Sequence, residues 1–301
     1  MRVERNTHRI LDLLDEVKKV SGSRPQKPID QNQKINEPNN PANQSNQSNP
    51  QTNKTAINAT FFVLGWIARR CPQLVKEIHA RGHEVASHGF NHHLCTAESA
   101  FALTTDLIDS KALLEDMTGS EVTGYRAPSF SVNDDILKRI EDAGYRYDSS
   151  YNSFDKHGRY GKLNLAGKPK QGMAYKISDN LFELPISNLL IQNSKFNTQN
   201  WILPWGGGGY FRLIPYFIFK KGIWRILSVE HAYNFYLHPW EVDPNQPRVK
   251  DAPASFKFRH YINLASTAGK IRKMLQNFGN CRFVTCGEYV SKLSTRSAGG
   301  R

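Results

Sequence analysis

Residues 6–20, NTHRILDLLDEVKKV, set Ile10, Leu11, Leu14 and Val17 at helical spacing behind a capping Asn6 or Thr7, which predicts an amphipathic helix. From about Ser21 to Asn58 the apolar pattern stops: 13 of the 25 residues from Gln31 to Thr55 are Asn or Gln, and none is aromatic. Such a stretch buries too little apolar surface to offset its ordering entropy, so a disordered insertion is expected over 21–58. The pattern resumes at Ala59 with the β-rich run ATFFVLG and a helix opened by Pro72, with Leu74, Val75 and Ile78 on one face and Gly82 beyond its end. HEVAS reads as the next strand and residues 97–117 as a helix stopped by Gly119. EVTGYR follows as a strand, then a helix capped by Asn133 and closed by Gly144, then the strand YRYDS. Strand and helix alternating at intervals of about 25 residues mark parallel βα units, in a barrel or an open doubly wound sheet. Farther on, LFELPIS and AYNFYLH read as strands, 262–277 as a helix and CRFVT as a last strand. The WGGGGYF run at 205–211 lacks the Lys-Ser/Thr of a phosphate loop and reads as a backbone bend or a substrate-facing loop.

Composition narrows the class. At 301 residues with 39% hydrophobic positions the chain can bury a substantial core. Its longest apolar runs fall short of the ~20 residues of a membrane helix, and MRVERNTHR is no signal region, so a cytoplasmic protein without a transmembrane segment is expected. Cys71, Cys95, Cys281 and Cys286 fit neither a zinc-finger spacing nor a disulfide scaffold and read as reduced thiols. A net charge of +13 favours polyanionic partners, but the Lys and Arg are dispersed and no nucleic-acid signature accompanies them, so no nucleic-acid partner is expected.

Polar residues at the carboxyl ends of these strands carry the candidate chemistry. His88 follows HEVAS, Arg126 ends EVTGYR, Asp148 ends YRYD and His238 ends AYNFYLH. In parallel α/β folds such ends converge on one face, where active sites form. His88 and His92 lie four apart after a strand; on one helical turn they would project together toward one divalent cation, which would still need a third ligand. His79, His83 and His93 are weaker alternatives, the first on a helix and the second at the far end of its strand.

As a set these segments resemble the polysaccharide deacetylases, the NodB-homology domain of carbohydrate esterase family 4. SHGFNHH resembles the family's His-Ser/Thr-x-x-His motif with Gly89 in the Ser/Thr place, YRAPSF its Arg-x-Pro motif, RYDSS its Asp motif and FYLHPWE its Leu-x-x-His type of motif in a Leu-His form. The wording of TFFVLGWIARRCPQLVKEIHARGHEVASHG, GGGYFRLIPY and FRHYINL is similar to a subgroup tied to bacterial exopolysaccharide loci that carries a C-terminal extension. The resemblance covers residues 1–20 and about 56–285. It implies a distorted (β/α)7-type barrel: a first helix over 1–20, the insertion over 21–58, a catalytic domain over 59–245 and an extension over 246–301 packed on the barrel. The implied function is hydrolysis of N-acetyl groups on amino sugars of a polysaccharide, with His88 and His92 holding a divalent metal, usually zinc. His238 would be the general acid, oriented by Asp148; Arg126 would tune the general base; Phe130, Tyr210 and Trp240 would bind substrate.

One motif is not matched. The family's first Asp-containing strand, which supplies the base and the third metal ligand, precedes the first helix, whereas this chain opens on MRVERNTHRILDLLDE. A barrel lacking its first strand is therefore expected, through a start assigned too late, a degraded gene, or a site completed by another carboxylate such as Glu241 or Asp243. The alternative function is a catalytically inactive carbohydrate-binding remnant of the family. Polyanion binding through the net charge, and hydrolysis of cyclic amides on the same barrel type, are further readings.

Overall fold

The computed structural model describes residues 1–21, 57–154, 158, 160–191 and 201–298. Residues 22–56 of the expected insertion lie outside that set; at its end Ile57 is buried and bridges Phe283 in parallel. The first helix, α1 (Arg2–Ser21), begins before its expected cap. Asn6 and Thr7 are buried inside it because both have partners there: Asn6 donates to Asp243 at 3.2 Å and Thr7 to the Val3 carbonyl at 2.9 Å.

The chain then alternates β1 (Thr60–Val63), α2 (Gly65–Arg70), α3 (Pro72–Ala80), β2 (Glu84–Ser87), α4 (Ala100–Thr118), β3 (Gly124–Tyr125), α5 (Asp134–Asp142) and β4 (Tyr147–Asp148). The local signals act as read: Asn133 accepts from the Ile136 amide at 2.9 Å, and Gly119 and Gly144 take φ of 65° and 83° just past their helices. β5 (Lys170–Gln171), β6 (Ala174–Lys176) and β7 (Phe182–Glu183) complete a sheet of order β1-β2-β3-β4-β7-β6-β5. Its first five strands run parallel, β6 and β5 antiparallel, and β1 has no strand on its outer side among the described residues. With helices on the outer face this is a distorted, open barrel.

The register fixes what faces where. Val63, Ser87, Tyr125, Asp148 and Glu183 stand in one row across the parallel strands. Val63, Val85 and Tyr125 pack in the cluster formed with Leu74, Ile78, Leu107 and Ile140, so this row faces the helices. Alternation sends Phe62, Arg126 and Tyr147 to the other, interior side, and His88 follows them one residue past the row.

The second half carries a β8 (Asn188–Ile191) and β9 (Trp201–Pro204) hairpin, then α6 (Gly208–Leu213), α7 (Tyr216–Glu230), α8 (Ala254–Tyr261), α9 (Leu264–Asn277) and α10 (Cys286–Ala298). Leu13, Leu14 and Val17 of α1 pack with Phe219 and Ile223 of α7 and Ile271 and Met274 of α9 in a second core. Two expected strands do not form. AYNFYLH pairs only where Tyr236 meets Gly207, and CRFVT only where Phe283 meets Ile57. Tyr233, Asn234 and Phe235 instead spend their polar and aromatic groups on Trp205, Ser187 and Phe211.

Candidate active site

A cavity of about 1290 Å³ opens along the free side of β1 and reaches the strand ends; His88, His92, Arg126, Phe130, Trp240 and His238 all line it. The His88 and His92 rings stand 5.1 Å apart. They do not share a helical turn: residues 88–94 form an irregular loop, with Gly89 at φ 75° and His92 at φ 63°. A Cβ on Gly89 would come within 2.8 Å of Asp106 Oδ1, which itself accepts the Phe90 amide at 3.0 Å. Glycine therefore replaces the family's hydroxyl residue here because the loop is both left-handed and pressed on Asp106.

His88 Nδ1 lies 2.6 Å from the Arg126 carbonyl. A carbonyl only accepts, so Nδ1 carries the proton and the Nε2 lone pair is left for a ligand. Burial pushes the His88 imidazolium down to about 3, and burial also lowers His92, so both rings are neutral at physiological pH, as metal ligands must be. The pair fits two positions of a divalent ion. No group of three His, Cys, Asp or Glu side chains placed to hold a metal occurs among the described residues.

The carboxylates expected to complete the site are engaged elsewhere. Glu241 is buried; its Oε2 takes Arg212 Nε at 2.8 Å and its Oε1 the His238 amide at 2.9 Å. Asp243 is buried against α1, accepting from Arg2 at 2.8 Å, Arg5 at 3.0 Å and Asn6 at 3.2 Å. His79, His83 and His93 bond Ser120, the Ala59 amide and Glu98 respectively, away from the cavity.

No hydrogen bond joins Asp148 to His238 among the described residues. Asp148 sits in the helix-facing row, where Ser150 Oγ donates to it at 2.7 Å, and no ion pair joins it to Arg126 among the described residues. Burial raises its pKa; its register partner Glu183 is raised well above the usual range, first by burial and then by Asp148, so the pair shares a proton. The carboxylate on His238 is Glu241, whose Oε1 lies 3.1 Å from Nδ1. Arg126 is buried with its guanidinium 4.0 Å from the Phe62 ring, and donates to Ser149 O at 2.8 Å and Ser149 Oγ at 2.7 Å.

Of the aromatic residues, Trp240 stacks between His238, 5.6 Å away, and His260, 4.1 Å away. Tyr210 is exposed beside Phe154, and buried Phe130 packs edge-on to Tyr160 and Tyr236. Tyr210, Trp240 and the Gly207 and Gly209 backbone line a second cleft of about 600 Å³ that adjoins His238. Arg212 and Asp106 carry much of this geometry without a signal in the sequence, since their partners come from distant segments.

Residues 41–147 match the family model for polysaccharide deacetylase, and residues 149–291 match a domain of unknown function, DUF3473. A peptidoglycan-N-acetylglucosamine deacetylase of Bacillus cereus is 35% identical over 88 residues, 29% of this chain and 41% of that one. A peptidoglycan deacetylase of Helicobacter pylori is 32% identical over 97 residues, 32% of this chain and 33% of that one. The match thus spans less than half the length of either relative. In fold, the chain is similar to a crystal structure of a Mycobacterium smegmatis protein thought to be a polysaccharide deacetylase, with a TM-score of 0.57 at 16% identity over 97% of this chain and 78% of that one. No helix among the described residues is long and apolar enough to cross a membrane. Residues 41–147 thus carry a polysaccharide deacetylase domain by the matched family model, and the chain shares the fold of the Mycobacterium smegmatis protein.

Proposed function

We propose that the chain hydrolyses the N-acetyl group of an amino sugar in a polysaccharide, an exopolysaccharide by the wording of its motifs, with His238 as proton donor. The observation that carries this reading is the convergence of His88, His92, Arg126 and His238 on one cavity. His88 and His92 would hold a divalent metal, zinc by family precedent, which when bound polarises the acetyl carbonyl and activates water.

The chain's own groups do the rest. Because Glu241 is ionised, it accepts from Nδ1–H of His238; with the ring in its imidazolium form the second proton, on Nε2, passes to the departing amine as the C–N bond breaks and leaves the neutral Nδ1–H ring. Tyr210 offers a flat face to the sugar rings, and Trp240, stacked between His238 and His260, lines the cleft beside it. Arg126, buried with no carboxylate in ion-pair reach among the described residues, supplies positive charge beside the carbonyl that becomes acetate.

The test is acetate release from an N-acetylated oligosaccharide with added zinc: release that disappears in His238→Ala supports the reading, and release unchanged in that variant sinks it. Stoichiometric zinc binding that survives His88→Ala with His92→Ala would overturn the metal assignment. A second reading, a carbohydrate-binding protein without turnover, is favoured by the lack of a third ligand beside the histidine pair among the described residues. It predicts oligosaccharide binding without acetate release.

A further inference from the structure

The cleft of about 600 Å³ beside His238 is walled on one side by α8, a helix that buries none of its residues. A helix without a buried face has little hydrophobic reason to stay in place. What holds it is Arg212, 1% exposed, whose guanidinium donates to the carbonyls of His260 and Ile262 at 2.9 Å and of Arg259 at 3.2 Å. These are carbonyls at the helix end, which have no partner inside the helix. The same guanidinium holds Glu241, so one buried cation fixes both the carboxylate on His238 and the helix across the cleft.

This arrangement sets the charge of the cleft. Glu241 is the only carboxylate among its described lining residues, and Arg212 neutralises it. Lys257 and Arg259 remain, both on α8 and both lining the cleft. Neither makes an ion pair among the described residues: Lys257 Nζ donates to the Lys250 carbonyl at 3.2 Å, and the Arg259 guanidinium rests 5.2 Å from the Phe256 ring. Trp240 and Tyr261 line the same cleft beside His238.

We infer that the cleft takes an anionic glycan, in which the N-acetylated amino sugar at His238 is followed by a sugar bearing a carboxylate that Lys257 and Arg259 receive. The carboxylate is that of a uronic acid. The inference deepens the deacetylase reading and rests on its placement of the substrate at His238.

The experiment is equilibrium binding of two tetrasaccharides to the full chain. One alternates N-acetylglucosamine with glucuronate, the other is neutral chitotetraose. Two half-exposed charge contacts should give the anionic ligand an advantage of about five- to ten-fold, which shrinks as salt is raised. Lys257→Gln with Arg259→Gln should abolish that advantage and leave chitotetraose binding unchanged. Equal affinity for the two ligands, or an advantage that persists in the double variant, overturns the inference. Acetate release from the same two ligands separates the failures: release without preference leaves the deacetylase reading intact, whereas preferential binding without release removes that reading and leaves an anionic glycan site. Binding of neither ligand overturns both.

Discussion

His238 meets Glu241 twice: the His238 amide donates to Glu241 Oε1 at 2.9 Å, and the same oxygen lies 3.1 Å from the imidazole Nδ1. Both contacts fall on the short helical turn Pro239–Val242, so local backbone geometry and ring orientation are set together. Burial pushes the Glu241 carboxyl up, but the hydrogen bond and charge of His238, with Arg212 behind them, bring it below its usual range. An ionised Glu241 demands a proton on Nδ1. The wild-type ring should therefore show the Nδ1–H tautomer in long-range proton–nitrogen NMR. In Glu241→Gln the amide can offer a donor instead, the tautomer should shift, and kcat for acetate release should fall ~10²-fold or more with KM little changed. An Nε2–H wild-type ring would remove Glu241 from this role.

Arg212 and Glu241 form a fully buried ion pair at 2.8 Å. Breaking such a pair from one side strands the other charge, so Arg212→Met should cost about 3–5 kcal/mol in urea unfolding. Replacing both with Met should recover much of that loss, because no buried charge is left unpaired. A double variant as unstable as the single would mean that the cost lies in the carbonyls of Arg259, His260 and Ile262, which Arg212 also holds.

Gly208 lies so close under Glu241 that a Cβ there would overlap both carboxylate oxygens. Gly208→Ala should therefore move the carboxylate off His238 and reproduce the activity loss of Glu241→Gln. Overpacking should cost about 1–3 kcal/mol of stability as well. Full activity in this variant would show that the carboxylate can give way without disturbing the histidine.

Local signals in the sequence carried the helices α3, α4 and α5 and the parallel strands beside them, since Pro, Asn and Gly punctuate an apolar period that the core then buries. They also brought out the residues that converge, His88, Arg126 and His238. The side that Asp148 takes was not legible because a one-residue offset in a two-residue strand decides it, and that register is set by β3 and β7, 20 or more residues away in sequence. Its partner Glu183 and the latch residue Arg212 were silent for the same reason: their meaning lies in pairings across the fold. AYNFYLH reads as a strand by composition, yet its groups bond Ser187, Trp205 and Gly206 rather than a ladder.

The Asp148 and Glu183 pair makes the fold sensitive to pH. Glu183 is fully buried and holds its proton well above the range in which an unfolded glutamate releases it. Above the usual glutamate value of 4.5 the unfolded chain has lost a proton that the folded chain keeps. Stability is therefore greatest below that point and declines as pH rises toward the folded-state pKa, by up to ~1.4 kcal/mol per pH unit for one proton. Glu183→Gln keeps the shape and hydrogen-bonding reach without a titratable group. It should flatten this part of the profile and raise stability at neutral pH relative to wild type. The check is urea unfolding of both proteins at intervals from pH 5 to pH 8. Parallel curves would show that Glu183 titrates alike in the folded and unfolded chains, and the shared proton would have to be abandoned.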